Sequence, residues 1–426
     1  MSGVICTGIN LIPQTLNPDI DYFSMYRSGG RADISTVGTA LLKKVLRSGL
    51  SPNTEAWDFL TLALAVNAAD LAVIRATSAD GWTRTIDLQV ALFNPAPFRQ
   101  LRKEIAEALR FLTGDFWQLD FVTGGEPPPR STVIKTYNAD CVSLLSGGLD
   151  SLVGALDLTA AGHRPLFVSQ IAKGDSATQG RYAHSVEGAD RHIQWNHNVK
   201  VVHPTERSTR GRSIVFFAFA ALAADALAQQ LGSRTTVYVP ENGLISLNIP
   251  LNAGRTGSLS TKTTHPVFMM RLQAIWDALS IPALLDRPYA YRTKGEMLLE
   301  CRDQPNLLLL APASTSCGRF SKYGYRHCGR CVPCMVRRAS FMHAGMPDNS
   351  PKGYVFDNLS QRRPATGADD IGAVARAVLG IQTGGAAAFS AGQFAFAPPN
   401  ERRLFEGVVQ RGFAELGDLL LSHGVL

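Results

Sequence analysis

Two stretches of the chain carry residue types that do chemistry in close company. The first is Ser146-Gly147-Gly148-Leu149-Asp150-Ser151. Two successive glycines permit positive φ and close backbone approach. An apolar run, residues 141–145, precedes them and a helix-like stretch, 152–161, follows, so they read as a strand–turn–helix. Such a turn gathers free backbone N–H groups at the positive end of a helix, which makes a cradle for anions. It is not a Walker A loop, because no Lys follows these glycines. The plain alternative is a Gly-rich βα turn without a ligand. The second stretch holds Cys317, Cys328, Cys331 and Cys334, spaced C-x10-C-x2-C-x2-C. Four thiolates at that spacing close a tetrahedral shell on zinc with no open position, so the reading is structural rather than catalytic. Iron–sulfur ligation is the competing reading. Cys6, Cys141 and Cys301 read as small apolar residues.

Ordinary secondary structure must hold both stretches. At 426 residues, 45% hydrophobic and 18% charged, the chain has a globular composition and length for two or three domains. From about Lys135, strands are expected at 141–145, 166–169, 199–203, 235–239 and 307–311, with helices between. The clearest helix, 213–230, is apolar nearly all round, is closed by Gly232, and is expected to be buried. This alternation predicts an α/β fold, a parallel sheet with helices on both faces and ligands at the carboxyl ends of strands.

Residues 1–134 read as an α+β module without a catalytic motif. A helix leading into a strand is expected over 54–75, a helix over 97–112, and strands over 82–94 and 116–122. Gly124-Gly125-Glu126-Pro127-Pro128-Pro129 is the best linker. Residues 346–426 read as a C-terminal helical extension, Ala/Gly-rich over 380–392 and helix-spaced over 400–421. The expected division is therefore 1–134, 135–345 and 346–426.

The formal net charge of +7 suits an anionic partner: ATP, a nucleic acid or an acidic protein. No Lys/Arg block resembles a nucleic-acid tail. Met1 to Gln14 lacks a charged region followed by an apolar core, so no signal peptide is expected. The longest apolar run, 214–224, is short for a membrane span. Four clustered cysteines in such a chain favour metal over disulfides. A cytoplasmic location and no membrane partner are expected.

The Ser146–Ser151 motif resembles the PP-loop of the N-type ATP pyrophosphatases, which binds the pyrophosphate of ATP while the enzyme adenylates its substrate. Downstream stand Ser316-Cys317, His327-Cys328-Gly329-Arg330-Cys331, Cys334 and Arg337-Arg338. With them the chain resembles QueC, the 7-cyano-7-deazaguanine synthase family, over residues 139–342. Arg212-Ser213 before a Phe/Ala-rich helix and Arg292-Thr293-Lys294-Gly295-Glu296 fit more loosely. Ser213 stands where that family has Asn, and its aromatic-Gly-Gln is not clear near Ser169-Gln170. Pro240-Glu241-Asn242-Gly243 and Thr263-Thr264-His265-Pro266 also depart from it. The added first module resembles the QueC-like proteins of bacterial anti-phage islands, the QatC type.

The resemblance implies an adenine nucleotide alpha hydrolase-like core and an ATP-dependent ligase that activates 7-carboxy-7-deazaguanine. Ser146, Gly147, Gly148, Leu149, Asp150 and Ser151 are then expected to hold the pyrophosphate. Asp150 is expected to help order Mg2+, and Arg212 and Lys294 to answer phosphate charge. Asp150, Ser151 and Lys294 are the expected catalytic residues. Glu241, Asn242 and His265 are expected to line the deazaguanine pocket, and the four cysteines to hold one structural Zn2+. The acyl acceptor is ammonia, giving a nitrile, or an amine of a partner protein from the same defence operon. A tRNA-modifying enzyme and a non-catalytic nucleotide-binding subunit are the other readings. Asp150→Ala is expected to stop adenylation while removing only a helix cap worth about 1 kcal/mol.

Overall fold

The computed structural model describes residues 2–171, 174–251, 262–361 and 370–426. Two five-stranded sheets dominate it, each parallel throughout. The first contains β1 (Ser2–Thr7), β2 (Ile20–Met25), β3 (Ser35–Val37), β4 (Thr85–Leu92) and β5 (Phe116–Thr123), in the order β3-β2-β1-β4-β5. The second contains β6 (Cys141–Leu144), β7 (Pro165–Gln170), β8 (His192–Trp195), β9 (Thr235–Tyr238) and β10 (Ala283–Asp286), in the order β8-β7-β6-β9-β10. Both orders are doubly wound, reversing direction beside the first strand.

The helices between the strands of the first sheet are α1 (Leu41–Arg47), α2 (Thr54–Ala72), α3 (Ala96–Gln100) and α4 (Arg102–Thr113). Those threaded through the second are α5 (Leu149–Ala160), α6 (Ser176–Ser185), α7 (Ser213–Leu231), α8 (Gly243–Leu247) and α9 (Pro266–Ala278). After β10 come α10 (Lys294–Glu300), α11 (Gln304–Leu310), α12 (Val332–His343), α13 (Ile371–Phe389) and α14 (Pro399–Ser422).

Three expectations need correction. The first unit is α/β, not α+β, because its strands pair only in parallel. β1 to β3 are short and carry Gly3, Asp21 and Ser residues, so they lack the apolar run that marks a buried strand. Residues 307–311 are helical: the Asp303 side chain accepts from Asn306 N and Pro305 sits in the first turn. A short leucine run fits either helix or strand, and the cap decides. Residues 199–203 give only an isolated bridge, Thr36 to Lys200, and the sheet edges are β8 and β10 instead.

α2 and α7 lie together between the sheets and share one apolar core, which also takes in Trp195, Phe268 and Trp276. α7 is apolar nearly all round and 72% buried, as its pattern requires. By length and hydropathy α7 and α13 could each cross a membrane, so the apolar stretch is longer than the run 214–224 implied. α13 is 33% buried.

Buried polar contacts cross between the units as well. Asp225 on α7 accepts from Asn53 N and Nδ2, each at 2.8 Å. Asp70 on α2 accepts from the backbone N of Arg210 and Gly211 and pairs with Arg84. Deleting residues 1–134 strips this apolar face and orphans these groups, so the remainder is expected to be insoluble. Sedimentation of the expressed fragment checks it; a soluble, cooperatively unfolding fragment contradicts it.

Candidate functional site

In a doubly wound sheet the ligand crevice opens where the strand order reverses, at the carboxyl ends of the strands. In the first sheet the chain packs closely over the end of β4. Gly125 N donates to Leu92 O at 3.1 Å, and a Cβ on Gly125 would lie 2.5 Å from the Leu92 backbone. The Asp58 carboxylate accepts from Phe93 N and Asn94 N beside it. In the second sheet the reversal lies between β6 and β9, and the residues leaving those two strands meet.

β6 ends at Leu144, and the chain turns through Ser146, Gly147 and Gly148 into α5. Gly147 has φ +86°, which a side chain would strain. Its carbonyl accepts from Thr315 N at 3.2 Å. Ser146 Oγ accepts from Gly148 N and lies 3.2 Å from Ser151 Oγ, which donates to Gly148 O at 2.9 Å. Gly148 is the N-cap of α5 and offers no side chain to the first-turn N–H groups. The turn therefore presents backbone donors at the start of a 12-residue helix, an electrostatically positive place.

Asp150, in the first turn of α5, is 6% exposed and gathers three elements. Its Oδ1 lies 2.8 Å from Lys294 Nζ on α10. Its Oδ2 accepts from Asn242 Nδ2 at 2.7 Å and Asn242 N at 3.1 Å, just after β9. Burial opposes its charge, but the Lys294 ammonium and hydrogen bonds outweigh it and hold the carboxyl below the ordinary range. Glu241, its neighbour, is pushed well above that range, first by burial and then by the Asp150 charge. The two neighbouring carboxyls are thus pushed in opposite directions, Asp150 toward its charged form and Glu241 toward its neutral one.

Asp150, Lys294, Glu241 and Asn242 are thus brought together at the end of the Ser146–Ser151 turn. Arg212 lies on the other flank. It precedes α7 and acts on Asp175 and on His197, whose pKa burial, then Arg212, pushes down to about 4. Asp175 in turn accepts from Thr315 Oγ1 and packs beside Gly147.

His265 is not in this cluster. It caps α9, with Nδ1 accepting from Val267 N at 3.2 Å, and its ring lies between Phe111 and Phe396. Burial first, then Lys262, pushes it down to about 4. Its folded value lies below its ordinary 6.5, so its contribution is complete above that pH and is lost as pH falls toward 4. His265→Asn keeps a capping side chain without titrating. The stability advantage of the wild type over this variant is expected to shrink by about 2 kcal/mol between pH 7 and 5. Urea unfolding at both pH values measures it; a constant difference contradicts it.

Residues that sequence reasoning missed also hold the turn. Gln179 Nε2 donates to Ser146 O and Gln170 O, both at 3.2 Å. Gln170 at the end of β7 was the only hint, and Thr315 had none beyond its nearness to Cys317.

The four cysteines form a buried cluster whose sulfurs all lie within 4.8 Å of one another. Cys317 and Cys331 sulfurs are 3.9 Å apart, and those of Cys328 and Cys334 are 3.8 Å apart. A tetrahedral shell with Zn–S near 2.3 Å has edges of about 3.8 Å, whereas a disulfide needs about 2.05 Å. Backbone N–H groups of Arg319 and Cys328 point at Cys317 Sγ, and that of Cys331 at Cys328 Sγ, each at 3.3 Å. Such donors stabilise thiolates, so the set fits a metal ion. Gly329, φ +88°, allows the knuckle to pass the Phe356 carbonyl.

The knuckle also braces the Gly147 turn. Ser316 N donates to His327 Nε2, and Arg337 on α12 binds Ser314 and Asp348. Thr315, which holds Gly147, lies between those anchors. Comparison with models of known protein families and with curated proteins finds no match.

Proposed function

We propose that the chain is a QueC-like PP-loop ATP pyrophosphatase that adenylates 7-carboxy-7-deazaguanine or a close relative. The observation that carries this reading is the Asp150–Lys294–Asn242–Glu241 cluster beneath the Gly147-Gly148 turn, at the sheet's reversal point. The turn's N–H groups and the Ser146 and Ser151 hydroxyls receive the pyrophosphate. Lys294 and Arg212 flank the phosphates from opposite sides.

A carboxylate oxygen of the substrate attacks the α-phosphorus, the bond to the bridging oxygen breaks, and pyrophosphate leaves. An amine nitrogen then attacks the acyl carbon and AMP departs. With ammonia, the resulting amide must lose its oxygen in a second activation to become a nitrile. With an amine of a partner protein, the product is a conjugate. We assign Glu241, whose carboxyl is pushed toward the protonated form by burial and the Asp150 charge, as the acid that gives a proton to the departing phosphate. Cys317, Cys328, Cys331 and Cys334 hold Zn2+, which supplies folding energy rather than catalysis. We place this activity in anti-phage defence, in the cytoplasm, with the acceptor protein encoded alongside. Mass spectrometry of products from ATP, 7-carboxy-7-deazaguanine and ammonia or that protein tests the reading. Unchanged substrate in both mixtures overturns it.

One observation favours a second reading, nucleic-acid modification. A cleft of about 390 Å³ between α4 and α9 is lined by Arg110, Arg210, Lys262 and Arg271, with Glu107 as its acid. Glu107 already pairs with Arg271 at 2.8 Å. If nucleic acid docks there, Arg110→Glu is expected to weaken tRNA binding and flatten its salt dependence. Filter binding across a salt series decides; unchanged binding removes this reading.

A further inference from the structure

The last helix of the chain lies against both partners of Asp150. Val408, Arg411, Gly412 and Glu415 occupy one face of α14, at i, i+3, i+4 and i+7. Each Asp150 partner is followed by a glycine, Gly243 after Asn242 and Gly295 after Lys294. A Cβ on Gly243 would lie 3.1 Å from Val408 Cγ1 and 2.3 Å from the Ala290 carbonyl oxygen. A Cβ on Gly295 would lie 2.7 Å from the Glu415 carboxyl. Gly412 likewise makes room for Leu244, 2.6 Å from where its Cβ would be. None of the three has positive φ, so what they supply is space for close approach.

Polar contacts reinforce the fit at α10. Thr293 and Glu296 form the capping box that opens this helix, and Lys294 is its first residue. Glu415 accepts from Thr293 Oγ1. Arg411 reaches both Glu296 and the Tyr291 carbonyl, the latter at 2.9 Å. α10 has seven residues, too few to hold its own start in place without packing.

We propose that α14 is a positioning element of the nucleotide site: its Val408–Glu415 face clamps the first residues of α8 and α10 and so holds Asn242 and Lys294 on Asp150. What Lys294 then does for ATP rests on the function proposed above; the clamp itself does not. Glu415 is a positioning residue, acting through Thr293 and Gly295 on the lysine between them.

The test is acylation of lysines by an N-hydroxysuccinimide acetate ester, followed by peptide mass spectrometry on the full chain. Lys294, 8% exposed and ion-paired, is expected to react slowly in the wild type. In Glu415→Ala its rate is expected to rise by about tenfold, since reactivity follows local opening. The exposed Lys103 and Lys352 serve as unchanged internal controls. Glu415→Gln keeps an acceptor oxygen and is expected to retain protection. Circular dichroism confirms folding, and if Glu415→Ala fails to fold, Arg411→Ala loosens the same cap from a half-exposed position. Unchanged Lys294 protection in the folded variant overturns the clamp, whatever the protein does with ATP. Lost protection with unaltered ATP use supports the clamp and instead overturns the role given to Lys294.

Discussion

Asp150→Ala is expected to abolish nucleotide use and to weaken the fold by about 3–5 kcal/mol, the cost of removing one member of a buried ion pair. The carboxylate is 6% exposed and receives Lys294 and two donors from Asn242. Alanine leaves the Lys294 ammonium buried without its counter-charge and the Asn242 amide without its acceptor. The sequence alone implied only a lost helix cap, because a helix-start Asp looks solvent-facing until its three-dimensional partners are known. A double variant separates the two effects. Asp150→Asn with Lys294→Met removes both charges together and is expected to recover most of the stability but none of the activity. Thermal unfolding and pyrophosphate release on the three proteins measure this. Near wild-type release by a folded Asp150→Ala protein contradicts the site.

Cys331→Ser is expected to lose bound metal and most soluble protein. Its sulfur lies 3.9 Å from that of Cys317, and its backbone N–H supports Cys328. Structural zinc sites contribute about 10–16 kcal/mol of apparent binding energy in small peptides, as much as a typical domain's whole stability. The loss propagates, because the knuckle's His327 and Arg337 anchor the loop that holds Gly147. Metal analysis on wild type and variant checks the claim, with one zinc per chain expected in the former. Iron with labile sulfide, or a folded metal-free wild type, contradicts it.

What was legible in the sequence was what local chemistry dictates. Ser146–Ser151 announced a strand–turn–helix through its glycines, and four cysteines announced a metal shell through spacing alone. α4, α7 and α14 followed from apolar periodicity. The first sheet was not legible, because its parallel strands are short and their pairing is non-local. Asp150's partners come from residues 242 and 294, and nothing local says that they converge. His265 was expected to line the pocket, yet the Pro266 that follows it marks a helix start and the imidazole serves as its cap. α14 reads from sequence as an appendage. Its role beside Gly243 and Gly295 is visible only once the chain folds back on itself.

The most direct test of the proposed ATP site is the fate of ATP's phosphates. Purified protein is mixed with 7-carboxy-7-deazaguanine, ammonia or the acceptor protein, and ATP labelled at the α- or γ-phosphate, and the products are separated. Attack at the α-phosphorus predicts labelled AMP from the first label and labelled pyrophosphate from the second, both dependent on the deazaguanine and both lost in Lys294→Met. Release of ADP and inorganic phosphate, or no cleavage of ATP with any acceptor, contradicts the account.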